Sequence, residues 1–135
     1  MTTERLTPAA VRRRLPSRRV VYLNLDLGIE LAGTKGAAVH MRSICRALAR
    51  IGQRVTICTA RRGGGRRPPL SHPRLEIETL PMPRDYHKLR KELRGGFGRR
   101  FTIPAEIAQG ALNLESEPEL ERRWLRARPD LVIER

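Results

Sequence analysis

Apolar positions along the chain fall into two rhythms. Across Arg18–Leu25 they are almost continuous, with Val20-Val21-Tyr22-Leu23 followed by Leu25. A short run rich in β-branched and aromatic residues suits a strand of a parallel sheet covered on both faces. From Gly36 to Arg50 the period becomes helical. Ala37, Met41, Ile44, Cys45 and Leu48 form one stripe, with Arg42, Arg46 and Arg50 on the other side. Gly52 stops that helix in the left-handed position past its end. Val55, Ile57 and Cys58 then carry a second strand over 53–59. Strand, glycine loop, helix, glycine and strand make a βαβ unit with a right-handed crossover.

Further on the rhythm is broken more often. Residues 60–73 hold Arg61-Arg62-Gly63-Gly64-Gly65-Arg66-Arg67-Pro68-Pro69 and read as a linker. Leu75, Ile77 and Thr79 alternate with polar positions, which predicts a third strand over 74–80, nearer an edge and closed by Pro81 and Pro83. A short basic helix is expected over 86–93, ahead of Gly95, Gly96 and Gly98. A helix over 104–114 has Pro in its first turn, where a missing N–H does no harm. Pro118 is read as restarting a separate helix with Leu120, Trp124 and Leu125. Pro129-Asp130 introduces Leu131-Val132-Ile133 as a fourth strand. Residues 1–17, with Arg12-Arg13-Arg14 and Pro16, read as a largely disordered basic arm with a helical turn near Pro8–Leu15. Residues 18–135 therefore predict an α/β domain: a Rossmann-like open, mostly parallel sheet of about four strands with helices on both faces. The fourth strand should return beside the first, and its outer edge should be bare, which favours self-association.

Charge changes the picture of partners. The formal net charge is +14, and Lys occurs only at Lys35, Lys88 and Lys91, so the excess is almost all Arg. Such a surface attracts phosphates, nucleic acid or anionic lipid without choosing among them. Aromatic residues are only 4% of the chain, so platforms for stacking bases are scarce, and no helix-turn-helix or zinc pattern is present. A non-enzymatic, charge-driven nucleic-acid binder is thus the alternative reading, and nucleic acid the less favoured partner. Cys45 and Cys58 lack metal-ligand spacing, so no metal is expected. Both lie in apolar segments and read as buried thiols of a reducing cytoplasm. No apolar run is long enough to span a membrane, and no secretory leader is visible.

The chemistry is concentrated in the loop Gly28-Ile29-Glu30-Leu31-Ala32-Gly33-Thr34-Lys35-Gly36. It connects the first strand to the first helix of the βαβ unit. Unpaired N–H groups and the positive helix end there suit an anion, and glycines let a phosphate approach the backbone. A dinucleotide fingerprint needs G-x-G-x-x-G and an acidic residue ending the second strand. Neither is present, since Thr59-Ala60-Arg61 ends that strand. This weakens a flavodoxin-like or dehydrogenase-type reading. A P-loop needs G-x-x-x-x-G-K-[ST], whereas Gly28 to Lys35 ends in Thr-Lys. Asp26 either faces the cleft or caps a turn. No catalytic triad is arguable from spacing.

Gly33-Thr34-Lys35-Gly36-Ala37-Ala38-Val39-His40-Met41-Arg42 resembles the first glycine loop and helix of retaining glycosyltransferases of family 4, which have the GT-B fold. The strand Val20–Asn24, the stretch Leu48 to Thr56 and the segment Arg128-Pro129-Asp130-Leu131-Val132-Ile133-Glu134-Arg135 are similar to the same family. The resemblance implies the acceptor-side N-terminal half of a two-lobed enzyme. The other lobe, which binds the nucleotide-sugar and carries a paired-glutamate motif, has no counterpart in these 135 residues. The chain is therefore expected to be a partial module, inactive alone, needing that C-terminal domain or a companion chain. By resemblance Gly33, Thr34, Lys35 and Gly36 approach the donor, and Asp26, His40, Glu134 and Arg135 are cleft candidates. The nucleotide-sugar would be a co-substrate with no further cofactor, and the acceptor is not specified. A cytoplasmic protein, peripheral at an anionic inner membrane face, is the corresponding expectation for location.

Overall fold

A computed structural model of the chain describes residues 7–66, 68–81, 88, 91–92 and 103–134. The elements run α1 (Pro8–Arg14), β1 (Arg19–Asn24), α2 (Gly36–Arg50), β2 (Arg54–Thr59), β3 (Leu75–Thr79), α3 (Ile103–Ala127) and β4 (Leu131–Glu134). The four strands form one sheet in the order β3-β2-β1-β4, and every neighbouring pair is parallel. Register aligns Val20 with Val55 and with Leu131, and Val55 with Leu75. The fourth strand does return beside the first. The domain is a Rossmann-like α/β fold with an open sheet. Most of the helix expected over 86–93 lies outside the described residues.

Alternation along the strands sends side chains to two cores. On one face Tyr22, Val55 and Ile57 pack with Met41, Cys45 and Ala49 of α2 and with Leu31 and Leu70 from loops. Met41, Cys45, Ala49, Ile57 and Leu31 are wholly buried. On the other face Val21, Leu23, Leu25 and Cys58 meet Leu80 and Leu120, with Trp124 half-buried against them. Helices thus cover both faces. β1 reads as an almost unbroken apolar run because it is covered on both faces.

Two elements differ from expectation. α3 runs as one helix through Pro118, where two were expected. A proline inside a helix removes the hydrogen bond to the carbonyl four residues back. That residue is the exposed Leu114, whose carbonyl water can serve. The second concerns the N-terminus, where the helical turn expected near Pro8–Leu15 is present as α1, residues 8–14, and is docked rather than loose. It is capped where the Thr7 hydroxyl accepts from the Ala10 amide at 3.3 Å. Arg12 explains the docking. Its guanidinium donates to the Arg50 carbonyl at the end of α2 (3.1 Å), completing an orphan acceptor and placing charge at the negative helix end. The Arg12 stem lies over Gly52, where a Cβ would come within 3.0 Å of its Cγ and where φ is +96°. Gln53, buried, holds the next stretch by accepting from the Arg18 amide (2.8 Å) and donating to the Pro16 carbonyl (3.3 Å).

β4 is the outer strand on its side of the sheet. Leu131 and Val132 are 51% and 40% exposed. No helix among the described residues is long and apolar enough to cross a membrane.

Candidate functional site

The carboxyl ends of β1 and β2 lie side by side, Asn24 opposite Thr59, and the loops that leave them pair with each other. The Leu31 and Ala32 amides donate to the carbonyls of Arg61 and Arg62 at 2.9 and 3.0 Å. This brings the glycine loop against the start of the segment after β2. Asn24 and Thr59 are fully buried below it. Asn24 Nδ2 donates to the Ile29 carbonyl (3.1 Å) and lies 3.4 Å from the Thr59 hydroxyl. Its Oδ1 is buried and has no partner among the described residues.

Two arginines set the shape of the loop. Arg42, one and a half turns into α2, folds back so that Nη1 donates to the Leu31 carbonyl and to the Gly33 carbonyl, the latter at 2.7 Å. Arg61 works from the other side, donating to the Leu27 carbonyl (2.9 Å) and pairing with Glu30 at 3.0 Å. Guanidinium donors suit this because one planar fork spans two carbonyls. The sequence pattern put Arg42 on the outward stripe with Arg46 and Arg50, and treated Arg61 only as the missing acid. The polar spacing around a glycine loop gives no sign of which arginine will turn inward.

Each expected site residue then has a definite place. Asp26 caps a turn, since its Oδ1 accepts from the Gly28 amide at 2.7 Å. The Gly33 amide is used locally, donating to the Glu30 carbonyl at 2.8 Å. A Cβ at Gly33 would stand 2.9 Å from that same carbonyl oxygen, so the residue is glycine for close packing of the turn. Lys35 is the N-cap of α2, and its ammonium donates back to the Gly28 carbonyl at 3.0 Å, leaving further N–H donors open. Thr34, Lys35 and Gly36 are exposed. His40, one turn into α2, is exposed, and its side chain makes no hydrogen bond or ion pair among the described residues. Glu134 is the exposed last residue of β4, in register with Leu23. Arg135 lies outside the described residues.

What the arrangement offers is a bare helix start. α2 has no side-chain cap and no acidic residue in its first turn. The amides of Thr34, Lys35, Gly36 and Ala37 have no hydrogen-bond partner among the described residues, whereas Ala38 and Val39 both donate to the Lys35 carbonyl. A Cβ built at Gly36 would meet nothing within 4 Å, so the side-chain position at the helix start is open. Such a group of donors, at the positive end of a 15-residue helix, is suited to an oxyanion. Among the described residues no group of three or more His, Cys, Asp or Glu side chains could hold a metal ion. Compared with known proteins, the chain matches no family model, no curated sequence and no solved structure.

Proposed function

We propose that this domain is the acceptor-side half of a retaining glycosyltransferase, and that the turn Gly33–Gly36 approaches the diphosphate of a nucleotide-sugar held mainly by a second lobe. The observation that carries the reading is the set of four amides at Thr34–Ala37 that have no partner among the described residues, three of them in exposed residues. They stand at the carboxyl end of β1 beside its neighbour in the strand order, where open parallel sheets bind their ligands. Arg42 and Arg61 hold the turn in place, so the donors are set before a ligand arrives. Lys35 adds a positive charge at the rim, its ammonium resting on the Gly28 carbonyl. The acceptor would enter over the same end of the sheet, on the side of β4.

Binding by the isolated domain should be weak, because a few amides and one lysine contribute only part of the interaction with a nucleotide-sugar. Amide-resolved NMR titration with UDP-glucose and with GDP-mannose tests this. Expected are saturable shifts at Thr34, Lys35, Gly36 and Ala37 with Kd in the range of about 0.1–10 mM. Gly36→Val should remove them while leaving the melting temperature within about 2 °C, since the added side chain projects into open space. Shifts confined to other parts of the domain, or none with either compound, would discard the assignment.

A further inference from the structure

The opposite end of the sheet carries a feature that the glycine loop does not explain. At the amino ends of β1 and β2, Arg19 and Arg54 are in direct register on adjacent strands. Arg74 immediately precedes β3, and its carbonyl accepts from the Val55 amide at 2.8 Å. The three arginines line one groove of about 330 Å³, with Ala127 at the end of α3 and Pro129 just after it also lining it. Like charges placed opposite one another on neighbouring strands repel. The local counter-charge is thin. Asp130 accepts from the Arg19 amide (2.8 Å) but stands 3.9 Å from its Nε. Glu76 also lines the groove and makes no ion pair among the described residues. Arg74 spends one nitrogen on the Gly52 carbonyl (3.1 Å) and the Ser17 hydroxyl (3.4 Å). The Arg54 amide donates to the Arg18 carbonyl (2.9 Å), while its side chain makes no hydrogen bond or ion pair among the described residues.

We propose that this groove is a second anion site, taking a phosphate monoester or a diphosphate across Arg19, Arg54 and Arg74. Three arginines lining one groove supply enough N–H donors for the several oxygens of a doubly charged phosphate, and bidentate pairing favours it over a single carboxylate. The groove is of a size for one small ligand, at the lower end of pockets that hold metabolites. The site lies at the far end of β1 from the Thr34–Ala37 amides, so it is independent of the role proposed for them.

The test is an NMR titration of the full chain with inorganic phosphate and with pyrophosphate, ionic strength being held constant with sodium chloride. Expected are saturable shifts of the Val20, Val55 and Leu75 amides, with pyrophosphate the tighter ligand, and any shifts at Thr34–Ala37 should be the same in Arg54→Gln as in the parent. Arg54→Gln should weaken pyrophosphate about tenfold or more, Arg54→Lys by less, and Arg46→Gln on the outer side of α2 not at all. All three side chains are exposed, and unchanged far-UV circular dichroism certifies the fold. The proposal is overturned if groove amides show no saturable shift by about 10 mM, or if Arg54→Gln titrates like the parent. It is equally overturned if pyrophosphate is silent while oligo-dT or phosphatidylglycerol vesicles bind in an Arg54-dependent way, since the groove would then belong to a polyanion or a membrane.

Discussion

The two faces of the sheet are held by different physics. Against α2 the contact is dry: Met41, Cys45, Ala49, Leu31 and Ile57 are wholly buried. Against α3 the apolar cluster is smaller, Trp124 is only half-buried with its indole N–H unpartnered among the described residues, and ion pairs fasten the helix. Arg123 reaches Glu78 of β3 at 2.7 Å and Glu119 of its own helix at 2.8 Å, while Glu119 also meets Arg122. Burial of apolar area scales with close packing, whereas a partly exposed ion pair contributes little more than its geometry allows. The lesson is that the face behind the candidate site is the rigid one. The loop before α2 is mounted on the better core, and α3 is the element that can loosen without disturbing it.

Core truncation should break or sharpen this contrast most clearly. Met41→Ala or Ile57→Ala is expected to cost about 3–4 kcal/mol, and Leu120→Ala about 2 kcal/mol, since a half-exposed neighbour such as Trp124 can move to fill the gap. Urea denaturation followed by circular dichroism measures both. Equal losses at Met41 and Leu120 would mean the two faces are packed alike.

Much of this contrast was legible in the sequence. The stripe Met41, Ile44, Cys45, Leu48 identified the α2 face, and near-continuous apolar strands announced a sheet covered on both sides. Strand order followed from chain order and the handedness of crossovers. The glycine loop was found because helix starts bind anions for a general electrostatic reason. The fastening was not legible. Arg12, Arg42 and Arg61 all donate to backbone carbonyls, and a carbonyl leaves no mark in the sequence. Pro118 misled because proline is usually read as an end, whereas an exposed helix tolerates one missing bond. Arg123 pairing with Glu78 spans 45 positions, which no local pattern encodes.

The ion pairs give the next prediction. Arg123→Met should destabilise by about 1–2 kcal/mol, as Glu78 and Glu119 lose a shared donor beside the apolar cluster. The Arg123 hydrogen bond, aided by Arg122 and Arg126, holds the Glu119 carboxyl below its ordinary 4.5. The unfolded chain takes up that proton first as pH falls. Stability from Glu119 is therefore present above pH 4.5 and is lost progressively below it. Glu119→Gln should flatten this part of the acid profile, measured as urea midpoints between pH 5 and pH 3 at low salt. An unchanged profile would show that the pair is ornamental and that α3 rests on Leu120 and Trp124 alone.

The smallest effect concerns the thiols, one on each face. Burial pushes Cys45 up to about 12, and burial with the nearby Glu78 pushes Cys58 up to about 11. Their ordinary value is 9.0, so the unfolded chain releases both protons first as the solution turns alkaline. Stability contributed by these groups is complete below pH 9 and declines as pH rises beyond it. Because the thiolate is the reactive form, a disulfide reagent at pH 8 should modify either cysteine only when the protein opens. Cys58 sits on the face held by ion pairs and should react first, through local release of α3. Cys45 should wait for global unfolding. Reaction rates of the Cys45→Ala and Cys58→Ala variants, compared across urea concentrations, separate the two. If Cys45 reacts as fast as Cys58 in dilute urea, the rigid face opens as readily as the other, and the loop above it has no firmer mount than α3.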